Sequence, residues 1–152
     1  MAEVWFYHLE RTTADAELPR LLQRGLERGL RMAVITPTVE RVREFSQKLW
    51  GLEDTSFIPH GFEGEPQPEQ QSIYLCTDDA TPNASVFNFY IDGAEPAKLE
   101  TLERASIMFD GNAETALEHA RSLWRKYKAE NITIRYWKQD DDGRWKDQAA
   151  TS

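Results

Sequence analysis

Three histidines, one cysteine and one run of aspartates are the residues of this sequence with the chemistry to ligate a metal, move a proton or attack a carbonyl. His8 sits in an aromatic strand-like run, His60 in a turn and His119 in a helical pattern, a scatter that carries no metal-ligand spacing. His60, in Phe57-Ile58-Pro59-His60-Gly61, reads as a structural imidazole bonded to local backbone, because no partner acid or nucleophile accompanies it. Cys76 ends the apolar run Ser72-Ile73-Tyr74-Leu75-Cys76 and reads as a buried reduced thiol, with no histidine close in sequence to activate it. Asp140-Asp141-Asp142 departs from the calcium-loop pattern and reads as a solvated turn. Phosphate loops are missing too: the turn after the first strand, Glu10-Arg11-Thr12-Thr13-Ala14-Asp15, has no glycine to let backbone amides approach a pyrophosphate. The expectation is a chain with no catalytic residue, no metal and no cofactor.

The informative constellation lies in the last helical segment. Leu117, Arg121, Trp124, Arg125 and Lys128 recur at i, i+4, i+7, i+8 and i+11 and fall along one side of a helix. On a helical wheel Ala113, Ala116, Ala120, Leu123 and Tyr127 form the core arc. Arg121, Arg125 and Lys128 lie beside it, with Leu117 and Trp124 on the border. Cations beside a partly exposed aromatic ring suit a ligand carrying carboxylates and an apolar side chain, such as a short acidic peptide with a hydrophobic end. The same residues also fit a plainer role, in which Lys and Arg complement the helix macrodipole and Trp124 packs in the core. Leu49-Trp50-Gly51-Leu52 followed by Phe57-Ile58-Pro59 is a second aromatic group, readable as an interface anchor or as ordinary core packing.

These residues need a scaffold, and the composition supplies one. With 40% hydrophobic and 29% charged side chains in 152 residues, the chain has the balance of one compact soluble domain. A formal net charge of −8 repels a phosphate backbone unless basic residues gather on one face. No apolar stretch is long enough to cross a bilayer and the N-terminus lacks the pattern of a signal peptide, so a cytoplasmic protein is expected.

The scaffold reads as α/β. Val4-Trp5-Phe6-Tyr7-His8-Leu9 has the near-continuous hydrophobicity of a strand buried on both faces. Leu18, Leu21, Leu22 and Leu26 follow at helical spacing, with Gly29 placed for a left-handed cap. Residues 31–36 form a second strand stopped by Pro37. Thr38 then caps a helix with Val39, Val42, Phe45, Ser46 and Leu49 as its buried stripe. Residues 61–70, rich in Gly, Pro and Glu, read as an exposed loop. Further strands are expected over 71–77, 85–91 and 104–109, bounded by turn residues such as Thr81-Pro82-Asn83 and Asp92-Gly93. Asp110-Gly111-Asn112 introduces the last helix, which runs to about Ala129, and 132–137 is the final strand. The whole describes a single-domain, mostly parallel mixed sheet flanked by helices over residues 1–138, Rossmann-like without nucleotide-binding motifs. Residues 139–152 are an acidic tail, either flexible or turning into a last short strand.

Phe6-Tyr7-His8-Leu9, Leu49-Trp50, Ser56-Phe57-Ile58-Pro59-His60 and the helix Ala120-Arg121-Ser122-Leu123-Trp124-Arg125-Lys126-Tyr127-Lys128 resemble, in order and spacing, the chi subunit of bacterial DNA polymerase III. The resemblance covers about Glu3 to Trp137 and implies a non-enzymatic adaptor in DNA replication. One surface of such a protein binds the acidic, hydrophobic-ended C-terminal tail of single-stranded-DNA-binding protein; another binds the psi subunit of the clamp-loader complex. By position, Arg121 would pair with the tail's terminal carboxylate, Trp124 would wall its apolar pocket, and Arg125, Lys128 and Leu117 would complete that site. Trp50 and Phe57, with Leu52 and Pro59, would meet psi, or a repair helicase in its place. The sequence departs from the family's pattern in having Trp124 where the family has tyrosine, in its 61–70 loop and in the acidic tail.

Two other functions are compatible with such a fold. An enzyme or sensor could bind a nucleotide at the carboxyl ends of the strands. Single-stranded DNA could stack on Trp124 above the basic stripe, against the overall acidity.

Overall fold

The computed structural model describes residues 2–50, 60–78, 83–97, 99–142 and 144–147, with the backbone alone of Trp50. In chain order the elements are β1 (Glu3–Leu9), α1 (Ala14–Glu27), β2 (Met32–Ile35), α2 (Val39–Trp50), β3 (Gly61–Phe62), β4 (Ile73–Cys76), β5 (Phe87–Tyr90), β6 (Arg104–Asp110), α3 (Glu114–Ala129), β7 (Thr133–Gln139) and β8 (Trp145–Asp147). A single 3₁₀ turn spans Pro68–Gln70. The strands form one eight-stranded sheet in the order β3-β4-β2-β5-β6-β1-β7-β8. Every pairing is parallel except that of β7 with β8. The expected mixed α/β sheet flanked by helices is therefore the observed one.

Local chemistry sets the helix ends. The Thr13 hydroxyl accepts from Ala16 N at 3.2 Å, and Thr38 Oγ1 does the same for Arg41 N at 3.2 Å, so each threonine satisfies an amide that its helix leaves open. Gly29, at φ +73°, closes α1 in a left-handed turn in which Leu30 N donates to Gly25 O at 2.9 Å. Asp110 Oδ1 accepts from Asn112 N at 2.9 Å and shapes the entry to α3.

The sheet divides the core into two. On one face Val4, Phe6, Ile35, Tyr90 and Ile107 pack under Ala120, Leu123 and Tyr127 of α3. On the other, Leu18 and Leu22 of α1 and Val42, Phe45 and Leu49 of α2 cover Met32, Val34, Ile73 and Leu75. All four residues of β2 and of β4 are buried, as parallel strands covered on both faces require.

Two expectations need correction, and one open alternative is settled for residues 145–147. Val39 is 38% exposed. It occupies the first position of α2, about 90° round the helix from the centre of the Val42–Phe45–Leu49 stripe, and stays partly in solvent. The segment 61–70 is not wholly loop, because Gly61 and Phe62 pair with Tyr74 and Leu75 as an edge strand. That pairing uses backbone groups, which leave no trace in side-chain periodicity. Beyond Gln139 the chain turns and β8 pairs back on β7, the ordered one of the two alternatives for its first residues. The turn residues Thr81 and Pro82 lie outside the described residues.

His8 is held on three sides: Nδ1 is 2.8 Å from the Tyr136 hydroxyl, Nε2 is 2.7 Å from Glu10 Oε1, and the ring meets Phe109 edge-on at 5.1 Å. A Cβ added at Gly111 would lie 2.1 Å from His8 Nε2. Gly111→Ala must therefore displace a fixed ring and should cost about 1–3 kcal/mol of unfolding free energy, by analogy with overpacked cores. Chemical denaturation should show that cost largely relieved when His8→Ala is added to Gly111→Ala.

Candidate peptide-binding face and strand-end cleft

α3 presents the predicted residues as the wheel places them. Ala120, Leu123 and Tyr127 are buried, Leu117 and Trp124 are half-buried, and Arg121, Arg125 and Lys128 are exposed. Trp124 is thus neither in the core nor free of it: it packs on the α3-side core and keeps an edge in solvent. Lys128 Nζ lies 4.4 Å from the Trp124 ring centroid, a cation–π contact that props the lysine over the ring. Arg121 makes an i,i+3 pair with Glu118 at 3.1 Å, with its side chain 55% exposed, so this pair is cheap to exchange for another carboxylate. Among the described residues Arg125 and Lys128 have no carboxylate partner.

β7 adds a component that the sequence reading missed. Ile134 and Tyr136 lie half-buried on the α3 side of the sheet, packed on the same core cluster as Leu117 and Trp124. The signal was available as period-2 alternation in Ile132-Thr133-Ile134-Arg135-Tyr136, but the side-by-side placement of β7 and α3 was not. At the carboxyl end of this face His8 and Tyr136 share their hydrogen bond, and Glu10 bridges His8 to Lys138, whose Nζ is 3.3 Å away. Burial lowers the His8 pKa, and the nearby Lys138 and Arg121 charges lower it further against the hydrogen bond from Glu10. His8 is therefore a neutral structural ring, while Arg121 reaches this cluster electrostatically.

A separate cleft of about 840 Å³ opens at the carboxyl ends of β1, β5 and β6, where α/β sheets commonly bind ligands. Its cations are already committed. Arg41 grips Asp15 in a fork of 2.5 and 3.0 Å and also contacts Asp92, while Lys48 contacts Asp15 and pairs with Glu44 at 3.3 Å. Burial raises the Asp15 pKa, but the hydrogen bonds from Arg41 and Lys48 outweigh it and hold the carboxyl below its ordinary value. A phosphate entering here would compete with these carboxylates, and no glycine loop would replace them. Among the described residues no group of three or more His, Cys, Asp or Glu is placed to hold a metal ion.

Of the remaining predicted residues, Trp50 closes α2, and Leu52, Phe57 and Pro59 lie outside the described residues. His60 Nε2 is 2.8 Å from Ser46 Oγ, so a buried side chain of α2 is one partner of the ring. Cys76 is a buried free thiol whose Sγ donates to Asp78 O at 3.1 Å. No helix among the described residues is long and apolar enough to cross a membrane.

The sequence model of the family described as DNA polymerase III chi subunit, HolC, matches residues 1–135. The chain belongs to the chi-subunit family of DNA polymerase III. The match takes in α3 and the first part of β7, and so most of the face built above; β8 lies beyond it. A curated relative, the probable DNA polymerase III subunit chi of Rickettsia prowazekii (strain Madrid E), is 25% identical over 99 residues. That alignment covers 65% of this chain and 60% of the relative, so the chain spans less than two thirds of that protein's length. Membership of the chi family places the chain among accessory subunits of the replicative polymerase, in DNA replication.

The ion pairs of the cleft should be structural. Asp15→Asn should lower stability by about 1–3 kcal/mol at neutral pH, because Arg41 loses its forked partner. The Asp15 pKa is depressed on folding, so its contribution is complete above the unfolded carboxylate value of about 4 and is lost as pH falls through the folded one. Urea titrations of wild type and variant should show the gap present at about pH 7 and closing as pH falls below the unfolded carboxylate value and on through the folded one.

Proposed function

We propose that this chain is a non-catalytic adaptor of the replicase, which binds the acidic, hydrophobic-ended tail of single-stranded-DNA-binding protein on α3 and a clamp-loader subunit, psi, elsewhere. The observation that supports it most is the pairing of two half-buried apolar side chains with uncompensated cations on one face. Leu117 and Trp124 are half-buried, while Arg125 and Lys128 stand exposed beside them without carboxylate partners among the described residues. In a protein of net charge −8 such a stripe is a local exception, and it complements a ligand that brings both carboxylates and an apolar terminus. Arg121 would take the terminal carboxylate in place of Glu118, and Trp124 would wall the pocket for the final side chain. The adaptor would act in the bacterial cytoplasm, beside the replication fork. Trp50, Leu52, Phe57 and Pro59 are assigned to the psi contact, or to a repair helicase occupying the same surface, by their resemblance to the chi pattern.

Calorimetric titration with a peptide copying the tail from the same organism should give micromolar binding, about −8 kcal/mol. Removing the peptide's final phenylalanine should abolish measurable binding, and Arg121→Ala should weaken it at least tenfold with an unchanged melting temperature. Equal affinity of wild type and Arg121→Ala would sink the assignment.

A further inference from the structure

The sheet has a second unusual surface, on the side opposite α3. There Trp5 of β1, Trp137 of β7 and Trp145 of β8 stand half-buried on three successive strands, with Trp5 and Trp137 in ring contact at 5.5 Å. The Arg104 guanidinium stacks on Trp5 at 3.7 Å and reaches Phe87 at 5.3 Å. Arg135 approaches the other side of the patch, 6.0 Å from the Trp5 centroid.

Two buried donors behind this surface lack an acceptor among the described residues. Arg104 has no carboxylate and no side-chain hydrogen bond among the described residues, although its Nε is shut off from solvent. Trp137 Nε1 is likewise a buried donor with no partner among the described residues. Buried donors without acceptors, and a desolvated cation without an anion, are rare in folded proteins because each loses its water without replacement. Burial correspondingly lowers the Arg104 pKa, and the Arg28 and Arg135 charges act in the same direction against Tyr7 and Glu3. Arg24 and Arg28 are exposed at the end of α1, and their charges are felt at Tyr7 and Arg104 respectively. The facing carboxylates, Glu3 and Asp147, are both spent on Arg135, at 3.6 and 3.0 Å.

A sheet surface carrying a row of aromatic rings, rimmed by arginines and supplied with unused donors, has the chemistry that takes stacked bases and a phosphate backbone. We propose that the face formed by Trp5, Trp137 and Trp145 with Arg104 is a binding surface for single-stranded nucleic acid. Bases stack on the tryptophan rings, the Arg104 guanidinium supplies positive charge to phosphate, and Arg24 and Arg28 follow the backbone. Trp145 lies beyond the residues that match the chi-family model, so β8 extends the surface with a ring that the matched region does not contain. This surface is on the opposite side of the sheet from α3, so it operates independently of the proposed tail site.

The test is fluorescence anisotropy of the full chain with a labelled oligothymidylate of about 15 nucleotides, within the range that single-strand-binding surfaces cover. Saturable binding at low salt, weakening as salt rises, is expected. The exposed pair Arg24→Glu/Arg28→Glu should weaken it about tenfold or more and flatten the salt dependence, whereas Trp145→Ala should weaken it with the salt dependence unchanged. Arg121→Ala should leave oligonucleotide binding intact while reducing tail-peptide binding, which separates the two surfaces. The proposal is overturned by absence of binding at low salt, by loss in Arg121→Ala but not in the Arg24/Arg28 pair, or by equal competition from an oligoglutamate of matching length. The last result would make this an acidic-peptide site.

Discussion

β1 pairs in parallel with β6 on one side and β7 on the other, over nearly its whole length, and the rest of the molecule is arranged around that fact. Both partners come from the last third of the chain, so the first strand is locked by the last ones to be made. The connection from β6 to β7 must pass over β1, and α3 is that connection, which is why Val4 and Phe6 are wholly buried beneath it. The connection from β1 to β2 runs the other way, past β6 and β5. It takes α1, and α2 after it, over the β2–β4 half of the opposite face. Trp5, Trp137 and Trp145 are left there with partial cover. One strand thus has a closed face under a helix and a half-open one beside it, and each borders one of the two proposed surfaces.

Charge follows the same division. The chain is acidic as a whole, yet its cations are not spread evenly over its carboxylates. In the strand-end cleft Arg41 and Lys48 are consumed by Asp15, Asp92 and Glu44, which tie α1, α2 and the turn after β5 together. The acidic turn between β7 and β8 is also spent locally. Asp140 accepts the amides of Asp142 and Arg144 and pairs with Lys146 at 3.5 Å, and Asp141 pairs with Arg11 at 2.9 Å. These aspartates hold the hairpin to the β1–α1 turn and do not lie over the α3 stripe. Arg125 and Lys128 on α3 and Arg104 beside Trp5 are left without a carboxylate partner among the described residues.

The family match and the geometry bear on different levels. The match fixes the class, an accessory subunit of DNA polymerase III, and covers residues 1–135. Geometry distinguishes the residues within it: Trp124 is half-buried with a lysine over its face and is not a ring wholly in the core. The end of β7 and β8 lie past the match, and they close one edge of the sheet with an antiparallel pair carrying Trp145.

The sequence by itself determined what depends on neighbours along the chain. The helix cap at Thr38, the left-handed Gly29, the strand character of Val4–Leu9 and the one-sided display of Arg121, Trp124, Arg125 and Lys128 follow from spacing and side-chain type. Each is decided within one or two turns of backbone. Only the tertiary structure decided what depends on residues far apart in sequence. The order of strands put His8 beside Tyr136, Arg104 over Trp5 and Ile134 under the edge of α3. It also gave Gly61–Phe62 a strand partner and His60 a serine on α2. Parallel pairing joins segments through backbone hydrogen bonds that are chemically alike at every residue, so no local pattern states which strand lies next to which. That choice is made by how the helices and side chains fill both faces at once.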